Sequence, residues 1–158
     1  MKTATAKQIK DDLKHKDRDE LLQIVQRLAR FKKENKELLT YLLFEADHEE
    51  GYVETMKTFI DEQFLAVNTR NNYYVKKNIR KILKETKKYI RYSGNKETEV
   101  QLLIHFCRML FEFQPYYSRI KILRDIFERQ VTLINTRIST LHEDLQYDYE
   151  QELHQIGY

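Results

Sequence analysis

The alternation of apolar and polar positions is densest between Val100 and Phe113, VQLLIHFCRMLFEF, where ten of fourteen residues are apolar. The four exceptions, Gln101, His105, Arg108 and Glu112, are spaced by 4, 3 and 4. At about 3.6 residues per turn they form one narrow polar stripe on a helix that is otherwise apolar all round. Such a helix has to be covered on most sides by other helices. Ten buried side chains of this kind contribute roughly 15–30 kcal/mol gross, before the entropy of ordering the chain. This segment is the expected core helix.

The flanking segments read as amphipathic helices. Thr5 is a candidate N-cap for a first helix over Ala6–Lys14, whose large apolar residues are Ile9 and Leu13. Asp17 and Glu20 have capping-box spacing and open a second helix with Leu21, Ile24, Val25, Leu28 and Phe31 as its expected buried face. Asn35 is the candidate cap of a third helix, with Leu38, Leu39, Leu42, Leu43 and Ala46 apolar. A continuous helix from Asp17 to Glu45 competes with that division, because no strong breaker lies between them. Asp47 is the expected cap of a fourth helix that buries Val53, Met56, Phe59, Ile60, Phe64 and Val67.

Asn68–Asn72, NTRNN, reads as a loop. A fifth helix over Tyr73–Tyr92 ends at Gly94, and Asn95 opens the core helix. Beyond Pro115 a long last helix is expected, because Ile120, Leu123, Phe127, Val131, Ile134, Ile138, Leu141 and Leu145 keep steps of three and four. The fold class is therefore all-α. It is expected as a single domain over 1–158 with six or seven helices, in an irregular bundle or a short right-handed array of antiparallel helical hairpins. Residues 146–158 form an acidic tail, either frayed or docked.

Composition supports this class. Gly 3 and Pro 1 leave little material for tight turns, and 34% charged with 41% hydrophobic residues suits amphipathic helices. No apolar run approaches the roughly 18 residues that span a bilayer. The N-terminal stretch lacks the apolar core of a secretory signal. The single Cys107 has no intramolecular partner, and a cytoplasmic location is the expectation.

The formal net charge of +3 hides a polarised chain. Arg70–Arg91 carries nine basic residues against one acid, Glu85, a net of +8. Ser139–Tyr158 carries five acids and no Lys or Arg, a net of −5. Lys77, Lys81, Lys84, Lys88 and Arg91 step by 4, 3, 4 and 3 along one face of the basic helix, with Tyr73, Tyr74, Tyr89 and Tyr92 near its ends. A row of cations suits phosphates, and tyrosines can stack on exposed bases. The same row suits an acidic protein surface or the chain's own acidic C-terminal tail, in cis or across a homodimer. Against all of these stands a plain solvated face.

Other constellations carry less. The stripe Gln101, His105, Arg108 and Glu112 contains acid–base groups but is equally the solvent seam of a core helix. Glu45 and His48 have the Glu-x-x-His spacing of di-iron bundles, yet the chain contains no second such pair, so no metal or other cofactor is expected. Cys107 lies off the stripe and reads as a buried structural thiol. No Gly-rich phosphate loop, serine elbow or zinc spacing is present.

RFKKENKELLTYLLFE and VKKNIRKILKETKKYIRY resemble segments of short, uncharacterised helical bacterial proteins, over roughly Leu21 to Phe113. The resemblance implies a bacterial, intracellular, all-helical protein and brings no catalytic residues. The functional expectation is a non-enzymatic protein-interaction or scaffold module with no membrane partner. The alternative is a nucleic-acid-binding protein that uses the basic helix at 70–92.

Overall fold

A computed structural model describes residues 1–157. Among the described residues the chain is all-helical, with nine α-helices and one π-helical turn. It groups into two compact units, Met1–Phe44 and Glu45–Tyr158.

The first unit holds α1 (Ala6–Leu13), α2 (Arg18–Phe31) and α3 (Lys33–Thr40). Both expected N-caps form full capping boxes. The Thr5 hydroxyl accepts from the Gln8 amide, and the Gln8 side chain accepts from the Thr5 N–H. Asp17 and Glu20 exchange the same pair of bonds, at 2.8 and 3.0 Å. The helix that could have run from Asp17 to Glu45 breaks at Lys32, which is extended (φ −142°, ψ 147°). Asn35 does not cap α3. It sits inside that helix, and its side-chain amide donates to the Leu28 carbonyl across the break.

No residue of α1, α2 or α3 is buried. This corrects the buried face assigned to α2, where Ile24, Val25, Leu28 and Phe31 are all exposed, Leu28 by 53% and Phe31 by 75%. The π-helical turn Tyr41–Glu45 runs from this unit to the boundary.

The second unit holds α4 (Glu49–Leu65), α5 (Asn72–Ser93), α6 (Lys96–Glu112), α7 (Tyr116–Arg119), α8 (Lys121–Ile138) and α9 (Glu143–His154). The core helix is α6, as its pattern requires. Val100, Leu102, Leu103, Ile104, Phe106, Cys107 and Leu110 are wholly buried, and α4, α5, α8 and α9 all pack on it. Asn95 caps α6 by accepting from the Glu97 and Thr98 amides. Gly94 ends α5 at φ 66°, the left-handed backbone that glycine adopts without a Cβ penalty. His48, not Asp47, stands at the N-cap of α4, and its side chain makes no capping bond.

The expected long last helix is three helices. Ile120 is extended between α7 and α8. A second break falls at residues 139–142, where Thr140 and Leu141 make turn bonds to Arg137 and Ile138. There the Ser139 and Thr140 hydroxyls bond nearby carbonyls and so compete with the helix ladder, while His142 caps α9. Hydrophobic spacing carries on across this break and gives no sign of it. The break returns the acidic tail to the core. Tyr149, Leu153 and Ile156 are buried, with α9 on α6 and α8.

Candidate functional site: a cationic groove between α5 and α8

α5 has a buried row, Val75, Ile79, Ile82, Thr86 and Ile90, that presses it onto the core. Its cations therefore fall on the outer flank. One edge of that flank meets α8 and forms a groove of about 600 Å³. Arg80, Lys84, Lys87 and Arg91 line it from α5, at steps of 4, 3 and 4, and Arg129 adds a fifth cation from α8. Leu83, Ile126 and Leu133 supply apolar surface between them, and no acid lines the groove. A second recess of about 310 Å³ shares Arg80 and adds Tyr73, Lys76, Lys77 and Ile122.

Gln130 also lines the main groove. It is 5% exposed, and its Oε1 is a buried side-chain atom with no hydrogen-bond partner. Its Nε2 donates weakly to the Ile126 carbonyl at 3.4 Å. Buried polar groups are normally satisfied, so an orphan acceptor in a cationic groove is notable.

The expected row is split by this geometry. Lys84 and Arg91 line the groove and Lys77 lines the recess, while Lys81 lines neither. Lys88 turns aside, pairing with Glu85 at 2.7 Å and lying 4.8 Å over the Tyr89 ring. Arg80, Lys87, Arg129 and Gln130 are the additions. The spacing of Arg80, Lys84, Lys87 and Arg91 is as regular as that of the expected row. Only the position of α8 selects between them.

The polar stripe of α6 is divided among different surroundings, with Gln101 lining a recess of about 170 Å³ beside Glu49, Glu50 and Glu97. The His105 Nε2 meets Asp61 of α4 at 2.6 Å, and Arg108 pairs with Glu152 of α9 at 3.0 Å. These are bridges between packed helices. The Tyr149 hydroxyl, beside Gln101, donates to Glu97 at 2.6 Å, and Glu112 is exposed. Burial and the Glu97 carboxylate push the Tyr149 phenol up from its ordinary value. Tyr149 and Glu152 thus tie the acidic tail to α6.

Glu49 accepts from the Ser93 hydroxyl and, at 2.6 Å, from Thr98, joining the start of α4 to the α5–α6 corner. Burial pushes the Cys107 thiol up to about 12, which makes it a poor nucleophile near neutral pH. Among the described residues no group of three His, Cys, Asp or Glu is placed to hold a metal ion, and no helix is long and apolar enough to cross a membrane. No protein-family model, curated protein or solved structure matches this chain.

Proposed function

We propose that the protein is a non-enzymatic interaction module that takes an acidic protein segment in the α5–α8 groove. The observation that carries this reading is the composition of the groove walls, five cations around Leu83, Ile126 and Leu133 with no acid among them. Cations alone would serve any polyanion. An apolar floor between them suits an amphipathic acidic helix or strand, which places carboxylates on the rim and aliphatic side chains below. Rim charges set location and on-rate, and the buried apolar contacts supply most of the affinity.

The test is a fluorescence titration with an acidic amphipathic peptide carrying Glu and Leu at helical spacing. Replacing Lys84, Lys87 and Arg129 together by Gln should weaken binding and flatten its salt dependence. Absence of binding by the unmodified chain, or binding indifferent to the triple change, overturns the reading.

A second reading, nucleic acid, has one observation of its own. Tyr73 and Tyr74 are exposed, in edge contact at 5.5 Å, beside Lys76, Lys77 and Arg80. Aromatic faces next to cations suit an unpaired strand. A gel shift at about 50 mM salt decides it, since contacts to phosphate are strongest at low salt. Changing Lys76, Lys77 and Arg80 to Gln should abolish any shift, and no shift with single or double strands ends this reading.

A further inference from the structure

Among the described residues the first unit leaves apolar side chains of α2 and α3 exposed, and their sequence spacing joins them into one helical seam. Leu21, Ile24, Leu28, Phe31, Asn35 and Leu38 step by 3, 4, 3, 4 and 3, the a/d spacing of helices that pack along their length. The spacing continues straight through Lys32, the single extended residue between α2 and α3. Four of the five apolar seam residues are exposed and Leu21 is half-buried.

A unit of this size with no buried residue in any α-helix lacks a core of its own, and short chains of this kind generally gain one by association. A large apolar side chain offers roughly 200 Å² when fully bare, so the seam with Val25 and Leu39 beside it presents on the order of 550 Å² before the helix straightens. A stable pair of proteins buries about 800 Å² on each side.

We infer that the occupant is a second copy of this chain, set antiparallel along residues 21–38, with Lys32 taken into the helix. Two features of the sequence favour a copy over other occupants. With Leu28 opposite Phe31 of the second copy, Arg27 faces Glu34 twice, both times on one flank of the seam, so the surface is complementary to itself. A parallel pairing would instead set Arg27 against Lys32 twice. The unit also mixes eleven basic with seven acidic residues, whereas a helix that lies on an anionic bilayer has a polar face dominated by Lys and Arg. Asn35 is the one polar position in the seam. Its amide now holds the Leu28 carbonyl, which returns to the Lys32 N–H when Lys32 becomes helical.

The experiment is sedimentation equilibrium of the full chain through a dilution series. The unmodified chain should show a two-chain mass that falls to one on dilution. Leu28→Asp puts a charge at an exposed site of the free chain but in the centre of the pair, and should weaken association by about thirtyfold or more. Arg27→Glu and Glu34→Arg should each weaken it, and the two together should restore it. That exchange keeps the test decisive if Leu28→Asp fails to fold. A one-chain mass at every concentration overturns the inference, as does a dimer indifferent to both kinds of change. Cosedimentation of a one-chain species with phosphatidylserine vesicles would give the seam to a bilayer instead and also overturn it.

Discussion

The two units use the same helical grammar with opposite outcomes. α2 carries Leu21, Ile24, Val25, Leu28 and Phe31 on one side and buries none of them, whereas α8 carries Leu123, Ile126, Phe127, Val131 and Ile134 and buries all. The difference lies in the neighbours. α8 packs on α6, which is apolar over nearly its whole circumference and gives four other helices a surface to cover. The first unit has no helix of that kind. Amphipathic spacing states that a face is available for burial, and whether it is buried depends on a partner.

The largest test of this contrast is in the cores. Phe106→Ala or Leu103→Ala should destabilise the second unit by about 2–5 kcal/mol, through lost transfer energy and the cavity left behind. Phe31→Ala, measured in dilute solution, should fall within about 0.5 kcal/mol of the unmodified chain. Comparable shifts in denaturation midpoint would erase the distinction between the units.

A graded effect appears in alkali. The Cys107 thiol is raised from its ordinary 9.0 to about 12 by burial. Between those values the folded state holds a proton that the unfolded chain releases. The contribution is therefore complete below pH 9 and lost as pH rises, at about 1.4 kcal/mol per pH unit. Urea midpoints should fall over this range, and Cys107→Ala should make the fall shallower. An unchanged slope would mean that the thiol is less buried than its position in α6 requires.

In the first unit the sensitive point is a helix end. Asp17→Ala should cost about 1 kcal/mol of α2 stability, seen as faster amide exchange in its first turn. The Glu20 carboxyl is held below its ordinary range, chiefly by the Asp17 backbone N–H and then by Lys16. That support is present above pH 4.5 and disappears as pH falls through the lowered value, so α2 should fray in mild acid before α6 does. The smallest expected effect is Lys84→Ala, within about 0.5 kcal/mol for stability, because the side chain is exposed at a groove edge.

Helix ends and the core helix were readable in the sequence because their causes are local. The boxes at Thr5 and Asp17, the Asn95 cap and the Gly94 stop each depend on residues within a few positions. The one apolar helix was evident in the same way. Breaks without Gly or Pro were readable in part: the Asn68–Asn72 loop stood out by its Asn content and the division between α2 and α3 was expected at Asn35 rather than Lys32, but the break at 139–142 was not foreseen. Lys32 and residues 139–142 interrupt helices whose apolar spacing runs on, and their causes are competing hydrogen bonds rather than pattern. The groove was half readable. One wall is a row of cations on α5, but Arg129 and Gln130 belong to it only because α8 lies alongside, a contact between helices far apart in the sequence.

Cys107 has a consequence for watching the molecule move. It is the only sulfhydryl in the chain, it is wholly buried, and it belongs to the second unit. A thiol reagent can reach it only when that unit opens. When reclosing outpaces the chemistry, the labelling rate divided by that of a free thiol gives the fraction of time spent open. Met1–Phe44 contains no cysteine, so its own fluctuations are silent in this signal. The protein thus contains a chemical clock for one of its two units, and no mutation is needed to install it.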